Sequence, residues 1–361
     1  MRIRWLEPRG IRNLQYGRVE LTARTTVLVG ENGQGKTNFL EAIYFAIALK
    51  PLRTVRLRDL VQLGLPNGSV AANVVVQGVE RQLDVELTTS GSRCTRAAVV
   101  DGKPLRDLVT WFDGVAVVAF TPDDLALVKG GPEGRRRALD RATFNRFPVH
   151  LSETRDYLRA LKNRNRLLRE TSRSARAERE AFEVPLCDLG ARIVRRRLAL
   201  LEELGPRVAS AFDEVGRAGA LSLDYRPAAS TADELLALLN ARAAQDEQRG
   251  FTSVGPHADD WVFELDGRAA RSFASQGQQR AIVLALKVGE IENLRDVRGV
   301  DPLLLLDDVS SELDPERNAY LMSVLARLSS QAVLTTTDAR LVAGAGDSSV
   351  YFMRSGKLSA A

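Results

Sequence analysis

One octapeptide constrains this chain more than any other part of it. Gly30-Glu31-Asn32-Gly33-Gln34-Gly35-Lys36-Thr37 fits the pattern G-x-x-x-x-G-K-[ST]. Its setting fits as well. An apolar strand, Thr26 to Val29, leads into it, and a helical pattern carrying Phe39, Leu40, Ile43, Phe45, Ala46 and Ile47 leads out of it to about Leu49. Glycines let the backbone curl so that successive N–H groups converge on phosphate oxygens. The helix N-terminus adds partial positive charge. The run Gly30 to Asn38 is therefore expected to hold ATP. Lys36 should reach the β- and γ-phosphates, and the Thr37 hydroxyl should bind Mg²⁺.

A phosphate loop needs a carboxylate delivered to the same sheet edge. Leu303-Leu304-Leu305-Leu306 is a buried strand ending in Asp307-Asp308. Asp307 is expected to complete the Mg²⁺ site, and Asp308 to orient or deprotonate the attacking water. These two motifs lie at opposite ends of 361 residues. Between them, residues 69–101 alternate as an antiparallel meander with a turn at Asp101-Gly102. From Gly134 to about Val215 the pattern is helical and rich in arginine, with Pro148, Pro185 and Pro206 expected to break it into helices of moderate length. Strands are expected again at Leu221–Tyr225, Trp261–Leu265, Ala332–Thr335 and Val350–Met353. The expected organisation is an α/β head of mixed sheets covered by helices, split between residues 1–125 and 251–361, with a compact, mainly helical basic lobe at 126–250.

A second element, Ser275-Gln276-Gly277-Gln278-Gln279-Arg280, precedes a helix expected over Gln276–Arg295, with Ser275 as its N-cap. By itself this is an ordinary capped helix. Followed by Asp307-Asp308 and Ser311-Glu312-Leu313-Asp314, it resembles the ATP-binding-cassette class. There a Ser-x-Gly-Gln element of one subunit contacts the γ-phosphate held by the other. The resemblance implies roles for Ser275, Gly277 and Gln278 at the partner's nucleotide, and an ATP-dependent homodimer. Within that class the order and length resemble the RecF family of bacterial recombination-mediator ATPases. The likeness is carried along the chain by Gly30 to Asn38, Phe120 to Leu125, Lys129-Gly130-Gly131-Pro132, Leu161 to Asn165, Gly255-Pro256-His257, Ser275 to Arg280 and Asp307 to Asp314.

The resemblance implies an ABC/SMC-like ATPase head without a long coiled coil and a weak, DNA-dependent ATPase. It also implies binding to double-stranded DNA and single-strand/double-strand gap junctions, action with RecO and RecR, and RecA loading in recombinational repair, replication and the SOS response. The sequence departs from the wider class at Gln276, in place of the first signature glycine, and at Asp308, where many relatives carry glutamate. Asp is one methylene shorter, so slow hydrolysis is expected. Thr337 stands where transporter ATPases often have histidine. An ATPase subunit of a membrane transporter is the alternative. The long spacing from phosphate loop to signature opposes it. A nucleotide kinase would leave Ser275 and Ser311–Asp314 unexplained.

Charge and composition narrow the partners. The net charge is +5, which permits nucleic-acid binding. Among the middle arginines, Arg135, Arg136, Arg159, Lys162, Arg164 and Arg166 are candidates for duplex phosphates. A solvated helix face paired to nearby glutamates is the alternative. Aromatic residues are few there, which disfavours base stacking on single strands. Two cysteines and two histidines cannot build a usual zinc or disulfide framework. His257 is either near the nucleotide or a plain loop residue. Trp5, Trp111 and Trp261 are expected in the core, and Arg53 to Arg58 are open between base, partner and neither. With no apolar run near membrane-spanning length, a cytoplasmic protein without a membrane partner is expected.

Overall fold

The computed structural model describes residues 1–53, 56–170, 173–215, 219–308, 314–327, 329–338 and 348–360. The chain forms two compact units. The first comprises Met1–Asp124 with Glu290–Ala361, and the second Leu125–Gly289.

The first unit contains two six-stranded sheets. One is antiparallel, built from β1 (Arg2–Arg9), β2 (Val19–Glu20), β4 (Asn67–Val76), β5 (Val79–Ser90), β6 (Arg93–Val100) and β7 (Lys103–Pro104) in the order β2-β1-β4-β5-β6-β7. Its strands alternate: every second residue of β4 from Gly68 to Val76 is buried. The β4–β5 hairpin turns on Gln77-Gly78, both with positive φ, as a two-residue turn matching strand twist requires. The other sheet has the order β15-β14-β3-β13-β12-β8. It is made of β3 (Thr25–Val29), β8 (Val117–Phe120), β12 (Leu303–Leu306), β13 (Ala332–Thr336), β14 (Ser348–Arg354) and β15 (Lys357–Ala360). All but the edge strand β15 run parallel. Strands β3, β13 and β12 are buried on both faces, and so read as nearly continuous apolar runs such as Leu303–Leu306.

Helix α1 (Lys36–Ala48) contacts both sheets, β4 and β5 on one and β8 and β13 on the other. Only Thr37 and Asn38 of its residues escape burial, which explains why it is apolar all round rather than striped. The parallel strands end together, so the loop after β3, the acidic pair after β12 and the threonines ending β13 share one sheet edge. The unit also holds α2 (Leu108–Phe112), where Trp111 is fully buried and donates to the Ile47 carbonyl at 2.9 Å.

The second unit contains α3 (Ala126–Lys129), α4 (Pro132–Arg146), α5 (His150–Leu167), α6 (Arg173–Glu214), α7 (Ala232–Ala241), α8 (Ala243–Arg249) and α9 (Ala270–Phe273). A three-stranded sheet, β11-β10-β9, joins them, from β9 (Leu221–Tyr225), β10 (Trp261–Leu265) and β11 (Arg268–Ala269). Tyr157, Leu161, Leu186, Ile193, Leu235 and Leu239 centre its core. Here two expectations fail. Pro185 and Pro206 do not break the chain; both lie inside the 42-residue α6. A mid-helix proline costs about 3 kcal/mol. The packed side of α6 carries Leu186, Ile193, Val194, Leu200, Leu204, Val208 and Phe212, all nearly inaccessible. At about 1.5–3 kcal/mol per buried side chain, that face outweighs two prolines. Among the described residues, α6 packs on α4, α5, α7 and β9, not on a long parallel partner.

The second domain boundary also moves, from 250/251 to Gly289/Glu290, inside α10 (Gln276–Arg298). The reason is pairing that composition does not reveal. β10 is antiparallel to β9, with Trp261 opposite Tyr225. Trp261 is buried and donates to the Arg135 carbonyl at 2.7 Å. Residues after 250 are thus stitched into the helical unit, and Ser275 belongs to it.

Candidate nucleotide site

The phosphate loop starts where β3 stops: Gly30 N donates to the Thr336 carbonyl at 3.3 Å. Gly33 and Gly35 have φ of +78° and +112°, conformations that a side chain would strain. Gly35 is the N-cap of α1 and makes no side-chain cap bond, and the first turn holds no acidic residue. The N–H groups at this helix start are thus left for an anion. Lys36 curls back over the loop, its Nζ donating to the carbonyls of Gly30 at 2.6 Å and Glu31 at 3.0 Å. Burial lowers its pKa, against the opposing pull of Asp308 and Asp307. Glu31, Asn32 and Gly33 are exposed at the loop crest.

The acidic strand end meets the loop. Thr37 Oγ1 donates to Asp307 Oδ1 at 2.8 Å, and Thr335 Oγ1 donates to the same oxygen at 2.9 Å. Thr335 Oγ1 also accepts from Asp308 N at 2.8 Å. Asp307 is buried, and desolvation raises its pKa; the hydrogen bonds from Thr37 and Thr335, and the charge of Arg53, work in the opposite direction. Asp308 sits at φ +49°, the left-handed region that Asp tolerates better than most residues. A hydroxyl and a carboxylate meeting at one point are a hard-oxygen donor pair that fits Mg²⁺, an ion that keeps several waters and takes its remaining oxygens from phosphates. Among the described residues no cluster of three or more His, Cys, Asp or Glu offers an alternative metal site.

Sequence reasoning passed over several contributors. Thr335, lying between both aspartates, owes its place to strand register. Glu41 is fully buried in α1, accepting from Arg12 Nε at 2.9 Å and Arg53 Nη2 at 3.2 Å. Arg53 Nη2 also donates to Asn38 Oδ1 at 2.6 Å, so Asn38 carries Arg53 at the mouth of the site. A lone carboxylate inside an otherwise apolar helix was the signal available in the sequence for Glu41.

The signature element forms a reciprocal capping box. Ser275 Oγ accepts from Gln278 N at 3.2 Å, while Gln278 Oε1 accepts from Ser275 N at 2.9 Å. The Gln278 side chain is thereby committed to the cap. Gln279 is buried and donates to the Ala274 carbonyl at 2.6 Å. Ser275 and Gln276 are exposed, Gly277 half-buried. Ser311, Glu312 and Leu313 lie outside the described residues. Asp314 opens α11 (Pro315–Arg327), accepting from Arg317 N at 2.9 Å.

The arginine candidates divide. Arg135 is buried and holds Asp260 with both ends of its guanidinium, at 2.8 and 2.6 Å. Arg164 is fully buried against Glu183, Asp246 and Thr252 at 3.0, 3.1 and 2.7 Å. Both are struck from the duplex-contact group, because their charges are spent inside the lobe. Arg136 donates to the Asp259 carbonyl at 2.9 Å. Arg166 is exposed but paired with Glu170 and Glu178. Arg159 and Lys162 are exposed on α5. His257 accepts from or donates to Tyr157 Oη at 2.6 Å and meets the Thr252 carbonyl at 3.0 Å, so both ring nitrogens serve the helical unit. Burial lowers its pKa.

An uncapped helix start behind a glycine loop, its threonine hydrogen-bonded to an aspartate at the end of a parallel strand, and a capped serine before a later helix define a phosphate-loop ATPase of the ABC/SMC type. The family model described as RecF/RecN/SMC N terminal domain matches residues 2–359. The chain is 52% identical over 372 residues to the DNA replication and repair protein RecF of Anaeromyxobacter sp. (strain Fw109-5), covering 99% of each. It is 52% identical to that of Myxococcus xanthus (strain DK1622), covering 96% of this chain and 93% of the relative. A solved structure of the recombination mediator protein RecF-ATPrS in the RecFOR pathway superposes with TM-score 0.89 at 27% identity, covering 99% and 98%. A Smc head bound to the C-winged helix domain of ScpA superposes at 0.58 with 15% identity, covering 100% of this chain and 97% of that one, a likeness of fold. The chain belongs to the RecF family. Among its described residues no helix is long and apolar enough to cross a membrane.

Proposed function

We propose that this chain is an ATP-dependent DNA-binding switch of recombinational repair. The observation that carries the reading is the Thr37–Asp307–Thr335–Asp308 network beside the uncapped start of α1. Solved relatives described as RecF-ATP and RecF-ATPrS, at 26% and 27% identity, support ATP as the ligand. Lys36 and the N–H groups of the loop would neutralise the phosphates. Thr37 and Asp307 would hold Mg²⁺, which would supply positive charge to the phosphates. Asp308 would orient the attacking water, and its short side chain favours slow turnover over rapid cycling. Ser275, exposed at the start of α10, would complete the γ-phosphate site of a second copy, so that ATP holds two protomers together until hydrolysis releases them. The closed dimer would grip duplex DNA near gap junctions and, with RecO and RecR, promote RecA loading. The relatives' names, DNA replication and repair protein RecF and recombination mediator in the RecFOR pathway, support that setting.

Fluorescence anisotropy of a labelled duplex tests the switch. Mg²⁺-ATP should tighten binding and ADP should not. Ser275→Arg should abolish the ATP effect while the variant still binds nucleotide. Equal DNA affinity in all three cases would overturn the reading.

A further inference from the structure

The fifth residue of the phosphate loop has a use that the phosphate-loop pattern does not require. Gln34 stands at one of the freely variable positions of that pattern. Its Oε1 accepts from Ser355 N at 2.7 Å, and its carbonyl accepts from Gly356 N at 2.8 Å. Ser355 and Gly356, at φ +48° and +80°, are the two-residue turn between β14 and β15. That turn is itself fastened. Gly356 O accepts from Gln15 N at 2.9 Å, and a Cβ on Gly356 would lie 1.9 Å from the Asn13 carbonyl. Asn13 in turn backs the loop: its Oδ1 would lie 2.9 Å from a Cβ on Gly35, and it accepts from Asn38 Nδ2 at 2.7 Å. Gly30 is packed from the same strand, since a Cβ there would meet the Met353 carbonyl at 2.5 Å.

Three loop residues, Gly30, Gln34 and Gly35, are therefore held from behind by the C-terminal hairpin and the Asn13 turn. A loop that must aim several N–H groups at one ligand binds better when its shape is set beforehand. We propose that Gln34 is a positioning residue for the nucleotide. Its side chain reads the Ser355-Gly356 turn, and its backbone presents the loop to phosphate. Through it the C-terminal hairpin and the nucleotide are coupled. The coupling is reciprocal: if the latched hairpin favours ATP, bound ATP tightens the latch by the same factor. The inference rests on the proposed ATP binding.

The test uses the full chain. Hydrogen exchange at the Ser355 and Gly356 amides is followed with and without Mg²⁺-ATP, and ATP affinity is read from a fluorescent analogue. ATP should slow exchange at both amides. Gln34→Met, which keeps the length but loses the acceptor, should weaken ATP binding by about two- to tenfold, the worth of one net hydrogen bond. The loss should fall on KM rather than kcat, with the apo melting temperature unmoved. Lys357→Ala, in the same hairpin but clear of Gln34, should match wild type. Unchanged exchange in wild type, or undiminished ATP affinity in Gln34→Met, would overturn the coupling. A wild-type chain that binds no ATP sinks this inference and the proposed function together, whereas ATP binding without a response at the turn sinks this one alone.

Discussion

Asp307 is caught between two demands. Burial raises its pKa, while cation binding needs its charge. In the folded chain it holds its proton more tightly than in the unfolded chain. Between the ordinary carboxylate pKa and the raised folded value, the folded state binds more protons, so stability falls as pH rises through that window. Asp307→Asn removes the charge yet leaves a carbonyl to accept from Thr37 and Thr335. The apo variant should melt no lower than wild type, with a gap in its favour that widens as pH rises through the window and is constant above it. Its Mg²⁺-dependent ATP hydrolysis should fall by about a hundredfold or more, the equivalent of several kcal/mol of lost charge stabilisation. Calorimetry across pH and a phosphate-release assay read both; an apo variant less stable than wild type at neutral pH would refute the burial argument. The glycine loop and Asp307-Asp308 were legible because each is a contiguous motif. Thr335 and Gln34's partners were not, because strand register and a turn more than 300 residues away put them there.

Elements show where local propensity loses. The helical periodicity of residues 173–214 was readable, but its prolines suggested interruptions that tertiary packing overrides. The breakers should still carry a cost. Gly205 and Pro206 sit side by side within α6; a Cβ on Gly205 meets nothing within 4 Å, and Pro206 is exposed. Once Pro206→Ala has removed the ring that crowds a preceding Cβ, adding Gly205→Ala should stabilise the helical unit by about a further 0.5–1 kcal/mol through helix propensity alone. Pro206→Ala restores a backbone donor one turn after Glu202 and should add up to about 3 kcal/mol. Thermal unfolding of the single and double variants checks this. A lower melting temperature for the double variant than for Pro206→Ala would mean that the flexibility of this turn is itself used. The capping boxes at Thr231/Glu234 and Ser275/Gln278 are the opposite case. There sequence spacing and structure agree because the interaction spans three residues.

Across the whole molecule, charge was the least legible property, since composition counts arginines without saying which are inside. The structure separates two groups that a sequence treats alike. Arg155, Arg159, Lys162 and Arg166 recur at positions that share one side of α5, and all four are exposed. Arg164, between them in sequence, faces the core. If the lobe meets duplex phosphates, Arg159→Glu with Lys162→Glu should weaken binding of unrelated duplexes alike. It should also flatten the dependence of log affinity on log salt by about one per contact removed. The melting temperature should hardly change, as expected for exposed residues. Arg164→Gln should do the reverse. Removing one member of a buried ion cluster costs about 3–5 kcal/mol; Asp246 would lose its guanidinium, and Glu183 would keep only Arg179, at 3.5 Å. That variant should lose stability first and DNA affinity only as the folded fraction falls. Salt titrations of duplex binding beside calorimetry distinguish the two. A double charge reversal on α5 that leaves both affinity and salt slope untouched would move the DNA surface elsewhere on the chain, without altering the structural role of Arg164.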